Sequence, residues 1–544
     1  MTAGAGSVVA ASGLEAAATA SSASLRTRSR DAGMRWRDWV GLAAMTFGMF
    51  IAFLDVQIVA SSLAEIQAGL AASADEINWV QTAYLVAEVV MIPLSGYLAR
   101  AIGTRALFTL SALGFTATSL GCAFAWDLDA MITFRAAQGF LGGAMIPTVF
   151  AVTFSAVPPE RRTAVSVVVG LVATLAPTLG PTLGGYITET LSWRWLFLVN
   201  LGPGIAIAAV AWAAIDIDRP NLPLLRRFDC AGFLFMTLFL GSLEYVAEEG
   251  PRNDWFDDAT IVAFTAICAA AAAMFFLRTL TCRQPIVELR AFADRNFALG
   301  SLFSFIIGIG LYGGVYMVPL YLAGVRGFNS LQIGELMAVT GIVQFLSAPI
   351  AGALSRCIEV RLMLTLGLSL FGTGVWMMSF LDASWGFWEF FLPQVVRASA
   401  LMICIVPINS LALGTLPPDK VKNASGLYNL MRNLGGAVGL AALNTVLSQR
   451  IQLHWNRLAA EINPARPGVQ DALDRLSTRL GDVINGDPHS AAIQLVSRLV
   501  SREAMVMTLN DCLLLVAAAF GSALLLMPLV RKPREAVTPP NAGE

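Results

Sequence analysis

Six polar residues stand inside stretches of the chain that are otherwise apolar enough for lipid: Asp55, Glu88, Arg135, Gln138, Arg397 and Arg432. A charge at the centre of a spanning helix costs roughly 2.5–3.5 kcal/mol even on lenient insertion scales, so each must face a partner or a polar cavity. Carboxylates and guanidiniums set together in such a place suit proton exchange. Burial favours the neutral acid and a neighbouring arginine favours the anion, so a rearrangement can load or release a proton. Asp55 and Glu88 are the candidate proton carriers, and Arg135 is the group that responds to their charge. A cationic or polar substrate would compete with the proton for the same acids. The plainer alternative is a buried ion pair that only fixes helix packing.

Depth along a helix follows from a rise of about 1.5 Å per residue. Counted from the outer end of its span, Asp55 lies about 10 Å in and Arg135 about 6 Å in, so the two share a layer and can pair. Glu88 and Arg397 fall near about 15 Å and Arg432 near about 22 Å, which predicts a polar axis along the transport path, with Gln138 one turn from Arg135. Glu244, Glu335 and Glu389 lie close to outer span ends and read as solvated interface positions. Ala176, Gly180 and Gly184 recur at steps of four, a smooth helix face expected to form the close contact between two halves of the molecule.

The elements that carry these residues are set by composition. With 56% hydrophobic and only 13% charged residues over 544 positions, the chain is a polytopic membrane protein. Fourteen apolar runs are long enough to cross about 30 Å of hydrocarbon, which predicts an all-α fold with both termini on one side. Of the 36 Lys and Arg, 23 fall in segments that lie inside if the N-terminus is inside, and the short outer loops hold only Arg194, Arg252 and Arg326. Positive charge collects on the cytoplasmic side, so both termini are expected there. The sequence Pro93, Gly96, Leu98, Arg100, Ile102, Arg105 returns 256 residues later as Pro349, Gly352, Leu354, Arg356, Ile358, Arg361. The chain therefore divides into a disordered cytoplasmic tail (1–38), a six-helix half (39–215), two inserted helices (228–279), a second six-helix half (297–530) with a long outer segment (450–505), and a cytoplasmic C-terminal tail (531–544). Duplicated halves are how many secondary transporters place a substrate site between parts that rock.

Other functions are argued against. The seven cysteines show no CxxC spacing, and the only histidines are His454 and His489, so neither a zinc site nor a haem is suggested. No GxxxxGK[ST] is present to power an ATP-driven pump, and no nucleophile or metal constellation suggests an enzyme. No cofactor is expected beyond the proton gradient. In the outer segment, Leu473, Leu476 and Leu480 share one helical face, as either a partner-docking surface or a lid packed on the transporter itself.

Several stretches resemble one family. LDVQIVASSLAEIQAGL with Asp55, GYLARAIGTR between spans 2 and 3, FRAAQGFLGGAMIP with Arg135, APTLGPTLGGYI in span 5, SWRWLFLVN at the entry to span 6 and GLYNLMRNLGGAVG with Arg432 together resemble the major facilitator superfamily. The resemblance is to its 14-span drug:proton antiporter family, in the EmrB/QacA group. It implies a multidrug exporter driven by protons, acting on hydrophobic or amphipathic compounds from the bacterial inner membrane, with a periplasmic adaptor and an outer-membrane channel as partners. It assigns Gly180, Pro181, Gly184 and Gly185 to the antiporter motif and Gly96, Arg100, Gly103 and Arg105 to the gate-loop motif. The chain departs from the family pattern where Arg100 replaces the usual acid of that loop and where Gln57, Ala60 and Ala64 replace Thr, Asn and Pro. The same fold could instead export or import one native metabolite, such as a fatty acid or a siderophore. A receptor or scaffold that transports nothing fits the buried charges least.

Overall fold

The computed structural model describes residues 34–73, 76–282, 284–462, 466–481 and 487–531; the expected N-terminal tail up to residue 33 and nearly all of the C-terminal tail lie outside them. The spanning helices are α1 (Trp36–Ser61), α2 (Trp79–Ala101), α3 (Thr104–Ala123), α4 (Leu128–Ser155), α5 (Pro159–Thr190), α6 (Trp195–Ala214), α7 (Cys230–Glu249), α8 (Ala259–Thr281), α9 (Arg295–Gly324), α10 (Ser330–Cys357), α11 (Val360–Met378), α12 (Phe387–Leu413), α13 (Pro418–Glu461) and α14 (Pro488–Leu524). Among the described residues thirteen of these are long and apolar enough to cross a membrane. The exception is α13, which carries Asn429, Arg432, Asn433 and Asn444. It packs against α9, α14, α2 and α4, so its polar groups meet protein rather than lipid.

Local chemistry explains the details. The first helix starts at Trp36, inside the stretch expected to be tail, because Asp38 accepts the Arg35 backbone N–H at 3.0 Å and Arg37 donates to the Ala213 carbonyl at 2.6 Å. These bonds satisfy the exposed first turn and tie it to the end of α6. Within α4 the helix breaks between Gly142 and Met145, just before Pro147, whose missing N–H removes a rung of the ladder. The long outer segment is largely helical: α13 runs on to Glu461, α14 begins at Pro488, and a helix at Pro467–Gly481 packs on α14 with Leu473 buried.

Two seams join the halves. Along one, α5 lies against α10, with Val167, Leu175 and Thr182 meeting Gly352, Gly341 and Gly334. Along the other, α2 meets α13 at the arginine-rich end, where a Cβ on Gly96 would lie 2.6 Å from the Lys422 carbonyl oxygen. Gly96 and its repeat partner Gly352 thus both sit where one half approaches the other. Toward the opposite end α2 and α13 diverge, and α7 fills the gap. Glu249 accepts from Thr82 at 3.0 Å, Tyr245 stacks on Trp79 at 5.4 Å, and Trp255, just beyond α7, donates to Thr445 at 2.9 Å.

Candidate functional site

Asp55 and Arg135 form an ion pair at 2.6 Å with both side chains fully buried. The pair sits in a network drawn from α1, α2, α3, α4 and α6. Arg135 Nη1 also donates to Gln138 Oε1 at 2.8 Å, and its Nε donates to the Val80 carbonyl at 3.2 Å. Gln138 Nε2 and Asn200 Nδ2 donate to Asp55 Oδ1 at 3.2 and 2.8 Å, and Asn200 is held in turn by Ser119 Oγ at 3.1 Å. The guanidinium lies over the Tyr84 ring at 4.3 Å. A buried pair needs such additional hydrogen bonds, because desolvation of two ions otherwise outweighs their attraction. Arg135 Nη2 has no hydrogen-bond partner among the described residues, so the network holds one unused donor.

Beside this network is a cavity of about 480 Å³. It runs from Glu88 and Phe53 to the helix ends at Ser61, Asn78, Arg252 and Ala323. Its wall is mostly apolar and aromatic, with Val56, Leu85, Tyr312, Tyr316 and Leu440, but Glu88, Glu244 and Glu248 are acids within it. Such a lining, apolar with a few placed polar groups, is what small-molecule sites present. Arg432 lies over Phe53 at 5.5 Å and over Phe150 at 5.2 Å, and Asn429 accepts from it at 2.6 Å. It therefore links α13 to α1 and α4 near the Glu88 level.

The other end is shut. Ser425 Oγ donates to the Pro147 carbonyl at 2.5 Å, Asn409 donates to Ser166 Oγ at 3.4 Å, and Gly426 abuts Ile92 and Pro93. Where the gate loop lacks its usual acid, acids arrive from elsewhere. Arg100 pairs with Glu288 at 2.5 Å from the stretch between α8 and α9. Asp218, between α6 and α7, accepts from the Thr104 backbone N–H at 3.0 Å and pairs with Lys422 of the opposite half. Gly103 adopts φ +86°, a backbone open to glycine at little cost, and Arg105 lies over Trp212 at 4.8 Å.

Three expectations need correction. Arg397 is not on the cavity: it is buried among α9–α12, donating to Gln394 at 2.7 Å and Thr340 at 3.4 Å, with no acid partner among the described residues. The polar axis therefore reaches the second half through α13, with Arg432 and with Asn433 and Asn444 on the cavity wall. The Ala176–Gly184 face contacts α1 of its own half, where Gly180 meets Gln57 and Gly184 meets Ser61 and Ile58, because the α10 side of α5 is the face with Val167, Leu175 and Thr182. Pro181 lines the cavity, and Gly185 is half-buried on the same helix. Glu244 is buried in the cavity wall, whereas Glu335 and Glu389 are exposed as expected.

The Major Facilitator Superfamily pattern matches residues 45–440. The chain belongs to this superfamily. Among similar proteins, the colistin resistance protein EmrB of Acinetobacter baumannii is 41% identical over 88% of this chain and 93% of its own length. The multidrug export protein EmrB of Escherichia coli K12 is 27% identical over 88% of this chain and 92% of its own. In fold, the human organic anion transporter MFSD10 (TETRAN) matches with a TM-score of 0.57 over 90% of this chain, at 13% identity. The chain is thus a multi-pass membrane transporter of this superfamily, and its multidrug resistance relatives span nearly its whole length.

Within that superfamily fold, sequence reasoning missed Asn200, Ser119, Asp218 and Glu244. The first two are uncharged and carry no signal of burial cost. Asn200 could have been found from SWRWLFLVN, since a polar side chain ending that apolar turn calls for a partner.

Proposed function

We propose that this chain is a proton-driven exporter of hydrophobic and amphipathic compounds in the bacterial inner membrane, with both termini cytoplasmic. The observation that carries the reading is the buried Asp55–Arg135 pair beside a cavity that runs from Glu88 toward the helix ends away from the Gly96–Lys422 contact. Placing the arginine-rich end in the cytoplasm follows from charge bias. On that orientation the Gly96–Lys422 end is the closed cytoplasmic gate and the cavity faces outward.

Ionised Asp55 ties α1 to Arg135 on α4 and to Asn200 at the start of α6. A proton arriving through the cavity converts it to the neutral acid and leaves Arg135 without its counter-ion. The restraint between α1, α4 and α6 is then relaxed, and the half turns toward the inward-facing arrangement. Glu88, which lines the cavity, exchanges its proton against the incoming substrate. The relatives named for colistin resistance and multidrug export support the drug-exporting direction. Delivery to a periplasmic adaptor and an outer-membrane channel completes the reading, supported by the helical extensions of α13 and α14 beyond their membrane-crossing parts. The test is drug-dependent proton release in everted vesicles: Asp55→Asn is expected to abolish it while the protein stays in the membrane. Full proton-coupled efflux by that variant would overturn the role of Asp55.

A further inference from the structure

The inserted helix α7 does more than fill a seam. Its faces divide cleanly: Tyr245 and Glu249 turn to α2, meeting Trp79 and Thr82, while Glu244 and Glu248, one turn apart, line the cavity. On α2 the complementary division holds, with Trp79, Thr82 and Val86 toward α7 and Gln81, Leu85 and Glu88 on the cavity wall. The α7 and α2 walls therefore stand side by side. Two oxygens there are buried and lack any hydrogen-bond partner among the described residues: Glu244 Oε2 and Gln81 Oε1. Glu244 is only 5% exposed, and a buried acceptor left unmatched costs about 1–3 kcal/mol, so this wall is built for something that brings donors.

The cations nearby do not meet that need. Arg252 donates to Glu249, and Arg432 donates to Asn429 beneath the cavity. Apart from Gln57, Ser61, Asn78, Glu88, Arg252, Asn433 and Asn444, the rest of the lining is apolar or aromatic, including Tyr312, Tyr316 and Phe53, and aromatic faces attract cations. We propose that Glu244, Glu248 and Gln81 form a binding site for the protonated amine of an amphipathic organic cation, whose apolar body lies against Tyr312, Tyr316 and Leu440. The inserted helix α7 thereby sets substrate charge. The site deepens the exporter reading, on which its transport role rests, but its occupancy can be measured without transport.

The experiment compares two fluorescent probes of one ring system on the purified full chain in detergent: cationic aminoacridine and its uncharged parent acridine. Wild type is expected to bind the cation at least about tenfold more tightly. Glu244→Gln and Gln81→Leu are each expected to reduce that ratio several-fold, and Glu248→Gln to reduce it less. Glu335→Gln, an exposed acid away from the cavity, is expected to leave it unchanged. The ratio is the readout, so a variant that merely misfolds and loses both probes together counts against the site unless Gln81→Leu lowers the ratio alone. No cation preference in wild type, or an unchanged ratio in both Glu244→Gln and Gln81→Leu, overturns the proposal. Proton-driven movement of acridine in wild-type vesicles would then leave the exporter standing without the amine site, whereas cation binding without any transport would overturn the exporter and keep the site.

Discussion

Replacing Asp55 by Asn leaves Arg135 buried with a positive charge and no anion bonded to it. What remains around the guanidinium is neutral: the Val80 carbonyl at 3.2 Å, Gln138 Oε1 at 2.8 Å and the Tyr84 ring at 4.3 Å. Breaking a buried pair from one side costs about 3–5 kcal/mol, and the retained amide oxygen puts Asp55→Asn near the lower end, at about 3 kcal/mol. Removing both charges in Asp55→Asn/Arg135→Gln eliminates the stranded ion, and neutral replacements of buried pairs are commonly close to neutral in stability, so the double variant is expected within about 1 kcal/mol of wild type. Adding Arg135→Gln to Asp55→Asn is therefore expected to recover about 2–3 kcal/mol, a factor of roughly 30–150 in the unfolding equilibrium. Denaturant unfolding of the purified protein in detergent measures it, and drug-driven proton release on the same variants separates folding from function: the double variant should fold and not transport. If the two single substitutions simply added, or if the double variant transported, the reasoning from this ion pair would be wrong.

Two further outcomes follow from the geometry. Gly180→Leu drives a side chain into Gln57 on α1, and overpacking of that kind is expected to lower stability by about 1–3 kcal/mol and to slow transport; an unchanged melting temperature would refute the tight α1–α5 contact. Asp218→Asn removes the anion paired with Lys422 and weakens the acceptor at the start of α3, together about 1–2 kcal/mol, so the closed end should open more often. Thiol labelling of Ser166→Cys in a background without the native cysteines should rise several-fold, and no change would refute the latch.

Much of the architecture was legible because lipid imposes simple rules. Apolar length gave the spans, and counting 1.5 Å per residue placed Asp55 and Arg135 in one layer, where they pair. The same count failed for Arg397, since depth says nothing of rotation about the helix axis, and Arg397 points into its own half. Rotation also hid the partner of the Gly180 face and the inward turn of Glu244, which lies near enough to a helix end to look solvated. The apolar run counted as the thirteenth span is less apolar than the others, and the polar residues of α13 are tolerated only because other helices surround it. Asp218 and Glu288 escaped because loop acids acquire meaning only once the fold brings them to Lys422 and Arg100.

The placement of α7 has a consequence for the route taken by cargo. With α5 and α10 in contact along one side and α7 wedged between α2 and α13 on the other, the sides of the cavity are walled by helices. On the exporter reading proposed above, a greasy molecule held there could not slide sideways into the bilayer, from which it would soon return across the membrane. On that reading, it leaves along the axis of the bundle into the aqueous space at the cavity's end.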